Sequence, residues 1–204
     1  MNKKEYKQAL LDSLYAPYKN CNLCPLASLG RTTIVFGEGN PDADLMLIGE
    51  GPGRNEDEQG RPFVGRSGNL LTKTLNALGI NRSDIFIANI VKCRPPNNRA
   101  PLPDELSVCK KLLLEKQIKI IRPKAICTLG SCATQTLLET KIGITKLRGS
   151  LNSYQDISLI PTFHPAYILR NAKELTRMAQ DLEKALTLTK AQTFLQKNVA
   201  TKQL

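Results

Sequence analysis

At 204 residues the chain is long enough for one sizeable core and short for two, and no run approaches the roughly 18 apolar residues of a membrane span. Lys and Arg number 29 against 18 Asp and Glu, a net charge of +11. The basic residues are spread along the chain instead of lining one amphipathic face, which sets aside a membrane-surface helix and makes nucleic acid the first polyanion to consider. Met1-Asn2-Lys3-Lys4-Glu5-Tyr6 lacks the apolar stretch of a secretory signal, so a cytoplasmic protein is expected. There, six cysteines read as metal ligands or core residues, not as disulfides.

Tyr6, Leu10, Leu11, Leu14 and Tyr15 recur at helical spacing, which predicts an amphipathic helix from about Lys3 to Tyr18. Thr32 to Phe36 is a short β-type run. Leu45-Met46-Leu47-Ile48-Gly49 reads as a strand buried on both faces, and Gly49, Gly51 and Gly53 wrap Glu50 at its carboxyl end. Arg54 to Gly65 is expected to be a binding loop, Ser67 to Leu78 a helix closed by Gly79, and Ile85 to Val91 a second buried strand interrupted by Asn89. Lys92 to Pro103 is an irregular proline loop, followed by a helix to about Ile121 that Asp104 and Glu105 favour at its start. A third strand over Lys124 to Leu129, a helix from Ser131 through Leu138 and a basic turn over Ile144 to Gly149 come next. Ser158 to Phe163 is the last strand, and a C-terminal helix of about five turns starts at Asn171. This alternation implies right-handed crossovers and a mostly parallel sheet covered on both faces. Residues 1–190 read as one domain and residues 191–204 as a polar, flexible tail.

Four cysteines fall into two pairs, Cys21 with Cys24 and Cys93 with Cys109, a set that suits a tetrahedral zinc or an iron-sulfur cluster. Cys127 and Cys132, within a strand and the next helix, read as packing residues. His164 is the only histidine, and it follows a strand and precedes a proline, so it should project from a strand end as Glu50 does. Asn89 reaches the same sheet edge, where open α/β sheets place their sites, and an amide is costly in an apolar strand unless it has a task. Phe63, an aromatic between glycines, is a candidate stacking platform. No phosphate loop is present, and the glycine spacing after the first strand is not that of the dinucleotide fingerprint.

Gly49-Glu50-Gly51-Pro52-Gly53 with Glu56-Asp57, Gly60-Arg61-Pro62-Phe63-Val64-Gly65, Asn89-Ile90-Val91-Lys92-Cys93-Arg94-Pro95-Pro96 and His164-Pro165-Ala166-Tyr167 together resemble the family 4 uracil-DNA glycosylases. The resemblance covers about Cys21 to Leu186. It implies a three-layer α/β sandwich around a mostly parallel four-stranded sheet, and excision of uracil from single- or double-stranded DNA by a monomer. It also implies a 4Fe-4S cluster on Cys21, Cys24, Cys93 and Cys109. Within it, His164 donates to the departing base and Glu50 with the Gly51 backbone positions water. Phe63 stacks on the base, Asn89 reads it, and Glu56 crowds its C5 position. The basic, histidine-containing insertion of relatives that bond covalently to uracil is missing, which points to hydrolysis. Lys146 and Arg148, with Tyr167-Ile168-Leu169-Arg170, are expected to grip DNA, Ile168 and Leu169 reading either as a wedge that fills the gap left by the flipped base or as the start of the last helix's core face. The competing class is a noncatalytic nucleic-acid-binding module stapled by a metal, which leaves the shared sheet edge of Glu50, Asn89 and His164 without a purpose.

Overall fold

The computed structural model describes the backbone of residues 1–201 and the side chains of residues 1–191. Helix α1, Lys3–Tyr15, starts on a capping box made by Asn2 and Glu5. It buries only Lys7 and Leu11, while Tyr6 and Leu10 face outward, so its packed face is narrower than the apolar spacing predicts. Lys7 Nζ donates to the Ile121 carbonyl at the end of another helix and to Asp42, satisfying an orphan carbonyl with a cation.

The β-type run Thr32 to Phe36 joins no strand ladder: the backbone N–H groups of Thr32 and Thr33 donate to the Asp57 carboxylate and that of Val35 to the Lys92 carbonyl. Strand β1 is instead Glu38–Gly39, and β2 is Leu45–Gly49. The expected loop after β2 contains helix α2, Arg54–Gln59, which buries Glu56 and Asp57 in place of apolar side chains and so carries no hydrophobic period. Helix α3 is Arg66–Ala77 and strand β3 is Phe86–Asn89. The predicted helix to Ile121 comprises α4, Pro103–Cys109, a π turn over Lys110–Leu114 and α5, Glu115–Ile121, so the register shifts just after Cys109. Strand β4, Ala125–Leu129, leads into helix α6, Ser131–Leu138, and then into the short helix α7, Ile144–Leu147. Strands β5, Asn152–Tyr154, and β6, Ile157–Thr162, form a hairpin whose turn residues Gln155 and Asp156 both have positive φ. Helix α8 is Pro165–Ile168. The last helix, α9, is Leu175–Thr201, longer than the five turns expected. The predicted flexible tail lies, apart from this helical backbone, outside the described residues.

The sheet has six strands in the order β1-β3-β2-β4-β6-β5, not four. Its central four are parallel, as predicted, and β1 and β5 add antiparallel edges too short and polar to register as strands in the sequence. Leu45 and Leu47 of β2 pack with α3 and α9 side chains such as Leu71 and Leu182, while Met46 and Ile48 pack with Leu114 and Ile118 on the other face. Three layers follow from that alternation. After β2 the chain adds β3 on one side and later β4 on the other, so the carboxyl end of β2 is the topological switch point where a crevice opens.

Candidate active site

The crevice is a cleft of 560 Å³ whose walls include Glu50, Gly51, Glu56, Phe63, Asn89 and His164. Every base-handling and catalytic residue expected from the sequence therefore meets in one place. Close approach explains Gly49: a Cβ there would lie 2.5 Å from both Asn89 Oδ1 and the Phe63 ring. Asn89 is 1% exposed, and its Oδ1 is the one buried side-chain polar atom among the described residues with no hydrogen-bond partner.

His164 caps α8, and its Nδ1 accepts from the Ala166 backbone N–H at 3.1 Å. Burial pushes the imidazole down to about 4, with Arg170 adding to the shift and the Glu56 carboxylate opposing it. The ring is thus neutral at pH 7 and carries its proton on Nε2. Burial raises the Glu50 carboxyl above its ordinary value, while a hydrogen bond with the Cys132 thiol works in the other direction. Cys127 packs in the core as predicted, but Cys132 does not merely pack: it sits in the first turn of α6 against Glu50.

Phe63 has φ 52°, and its ring lies 5.7 Å from that of His164. Glu56 lines the cleft, and its Oε1 accepts from the backbone N–H groups of Val64 and Gly65 at 2.9 and 2.7 Å. A loop-holding task for Glu56 was not legible in the sequence. The proline loop also reaches the cleft through Pro95, Asn98 and Arg99, a contribution its position between two site-bearing elements could have signalled.

The expected DNA grip divides. Lys146 is exposed on α7, and Tyr167, Leu169 and Arg170 stand at or beside the cleft mouth, with Tyr167 37% and Leu169 43% exposed. Ile168 is only 2% exposed and packs in the core with Leu71 and Phe163, so it is no part of an apolar tip. Arg148 does not reach outward either: its guanidinium donates to Asp181 at 2.9 and 2.5 Å and to the Arg177 carbonyl, beneath the cleft's last strand. Asp181, buried behind Thr162, needs that cation.

Away from the cleft, Cys21, Cys24, Cys93 and Cys109 line the walls of one small cavity with Tyr18, Ile34 and Lys92. Among the described residues, no three His, Cys, Asp or Glu side chains form a group suited to a single metal ion. Arg31 Nη1 donates to Cys93 Sγ at 3.1 Å, and the Lys92 backbone N–H to Cys109 Sγ at 3.3 Å. Lys92 itself is fully buried, with Nζ on the Asn89 carbonyl and Gln117 Oε1.

No described helix is long and apolar enough to cross a membrane. The family model of the uracil DNA glycosylase superfamily matches residues 36–187. The chain is 47% identical to the type-4 uracil-DNA glycosylase of Thermotoga maritima over 90% of its own length and 97% of the relative's. It is 44% identical to that of Sulfurisphaera tokodaii, over 81% of its own length and 78% of the relative's, and 41% identical to that of Pyrobaculum aerophilum, over 84% and 91%. With its four motifs gathered around one cleft and these relatives spanning nearly its whole length, the chain belongs to the uracil-DNA glycosylase superfamily, among the type-4 enzymes.

Proposed function

We propose that the protein is a DNA glycosylase that hydrolyses the N-glycosidic bond of uracil in DNA, leaving an abasic site for base excision repair. The observation that carries this reading is the orphaned Oδ1 of Asn89, a buried acceptor facing a cleft sized for a base. Uracil N3–H supplies the missing donor, and the Asn89 amide N–H donates in turn to O4. A base within a duplex is out of reach, so the nucleotide flips out before reaction. As uracil departs, negative charge develops on O2, where the Nε2–H of neutral His164 donates; such a donor is typically worth ~10²–10³ in rate. Glu50, with the Gly51 backbone, holds the attacking water and faces the cationic sugar. Phe63 stacks on the base and Glu56 bounds its C5 side. The outward cations Lys146 and Arg170, with Tyr167 and Leu169, engage the strand. The direct test is incubation with a uracil-containing oligonucleotide: abasic sites are expected, and an intact strand after prolonged incubation overturns the reading.

The cysteine cavity fits an anionic tetrathiolate group. Two of its sulfurs accept N–H donors, and the side chains of Arg31 and Lys92 flank it. We read Cys21, Cys24, Cys93 and Cys109 as ligands of a 4Fe-4S cluster, which when bound ties the segment after α1 to the proline loop and α4. Hydrolysis needs no redox step, so its task is structural. Anaerobically purified protein should carry about four irons per chain; stoichiometric zinc without iron overturns the assignment. A cytoplasmic monomer with residues 1–190 as its folded domain is the accompanying reading.

A further inference from the structure

Phe63 adopts a left-handed backbone that bulky residues avoid, and such a conformation persists only where its surroundings over-determine it. Here they do so from two sides. Arg82, in the turn Arg82–Asp84 before β3, donates from Nη1 to the Phe63 carbonyl at 2.9 Å and from Nη2 to the Pro62 carbonyl. The next two peptide N–H groups, those of Val64 and Gly65, both donate to Glu56. Four consecutive residues are thus fixed by one guanidinium and one carboxylate. Helix α3 closes the third side, since a Cβ at Gly68 would lie 1.9 Å from the Phe63 carbonyl oxygen.

The remaining edge of the Arg82 fork is held as well. Its Nε donates to Glu38 at 2.8 Å, and Arg61 braces the other oxygen of that carboxylate at 2.7 Å. Burial alone would raise the Glu38 carboxyl, but Arg61 and Arg82 outweigh it and keep it below its ordinary value. A lysine could supply the charge but not two planar N–H donors to adjacent carbonyls. Arg82 does not line the cleft, so whatever it does for the reaction it does through Phe63.

We propose that Arg82 is a positioning residue that sets the stacking ring of Phe63, and that Glu38 aims Arg82. The proposal rests on the reading of Phe63 as the surface on which uracil stacks. Its test compares Arg82→Lys, Glu38→Gln, Phe63→Ala and the Arg82→Lys/Phe63→Ala double variant. Single-turnover excision of uracil should fall about tenfold for Arg82→Lys and about 10²-fold for Phe63→Ala, with the double variant no slower than Phe63→Ala alone. Amide hydrogen exchange at Val64 and Gly65 should quicken in Arg82→Lys while the β2 and β4 amides keep their protection. Glu38→Gln, which leaves the guanidinium in place, should lose about threefold and serves if Arg82→Lys does not fold. Losses that multiply in the double variant, or exchange at Val64 and Gly65 equal to the parent's, overturn the proposal. Should the parent not excise uracil at all, the functional reading fails, and the exchange measurement still decides whether Arg82 holds the loop.

Discussion

Asn89 and Lys92 stand three residues apart where β3 runs out into the proline loop, and both are polar side chains buried to within 1% of complete. Lys92 has its partners inside the protein, at 2.9 Å to the Asn89 carbonyl and 2.6 Å to Gln117 Oε1, and Gln117 donates onward to the Phe36 carbonyl. The Asn89 Oδ1 has none. A buried polar group whose hydrogen bonds close within the chain belongs to the scaffold, whereas one left open at a cleft is held for something that enters it. The same contrast runs through His164: Nδ1 is satisfied by Ala166, which leaves Nε2–H for a ligand.

The largest effect expected from breaking this contrast is at Asn89. Asn89→Asp removes the donor to O4 and offers an acceptor to the cytosine amine. Uracil excision should fall by about 10⁴-fold, with a weak, slow release of cytosine appearing, because a site built on buried hydrogen bonds rejects a base that leaves them unpaired. Asn89→Ala should lose uracil excision without that gain. Single-turnover rates on matched uracil and cytosine oligonucleotides measure both, and parent-like rates for either variant would show that Asn89 does not read the base. Next comes His164→Ala, which removes one preorganised donor at the developing oxyanion and should cost ~10²–10³ in the same assay while leaving DNA binding nearly unchanged.

Lys92 should behave in the opposite way. Lys92→Met keeps much of the buried volume but strands the Asn89 carbonyl and Gln117 Oε1, so a stability loss of about 3 kcal/mol is expected in denaturant unfolding. Equal stability of parent and variant would mean that this pair of hydrogen bonds is not scaffold, and the contrast with Asn89 would dissolve.

Much of this was legible in the chain. The strands were, because Leu45–Gly49 and Ala125–Leu129 are covered on both faces and so are mostly apolar; that in turn made Asn89 conspicuous. Helix α2 was not, because it buries carboxylates, and a rule that looks for apolar spacing passes over it. Nor was the course of Thr32 to Phe36, a β-prone run whose Thr32 N–H donates to the Asp57 side chain, a partner 25 positions away, and to no ladder. The directions of Arg148 and Ile168 were not legible for one reason: sequence gives residue type and neighbourhood but not the course of a side chain, and Ile168 packs in the core while the Arg148 guanidinium turns to Asp181. The Arg82 bracket was out of reach because it joins Glu38, Pro62 and Phe63 across separations of 44, 20 and 19 residues.

The smallest expected effect is on the pH dependence of stability, and it isolates His164. Its imidazole has a folded-state pKa of about 4 against an ordinary 6.5, with burial the main cause. Below pH 6.5 the unfolded chain therefore binds a proton that the folded chain refuses, so stability falls as the pH drops from 6.5 towards 4 and this group causes no further loss below that. A fully buried ring would lose about 3 kcal/mol over the window; the ring is partly open to the cleft, and on the order of 2 kcal/mol is expected. Carboxylates titrate in the same range, so the measurement is a difference: the parent should lose more stability than His164→Gln between pH 7 and pH 4. Because this is the only histidine in the chain, no other imidazole can supply that difference. His164 should likewise contribute no inflection to excision near pH 6.5, because its imidazole takes up a proton only near pH 4. A rate that instead halves as the pH rises through 6.5, with an inflection that vanishes in His164→Gln, would mean that the imidazole works as a cation and that Nδ1 is protonated instead of accepting from Ala166.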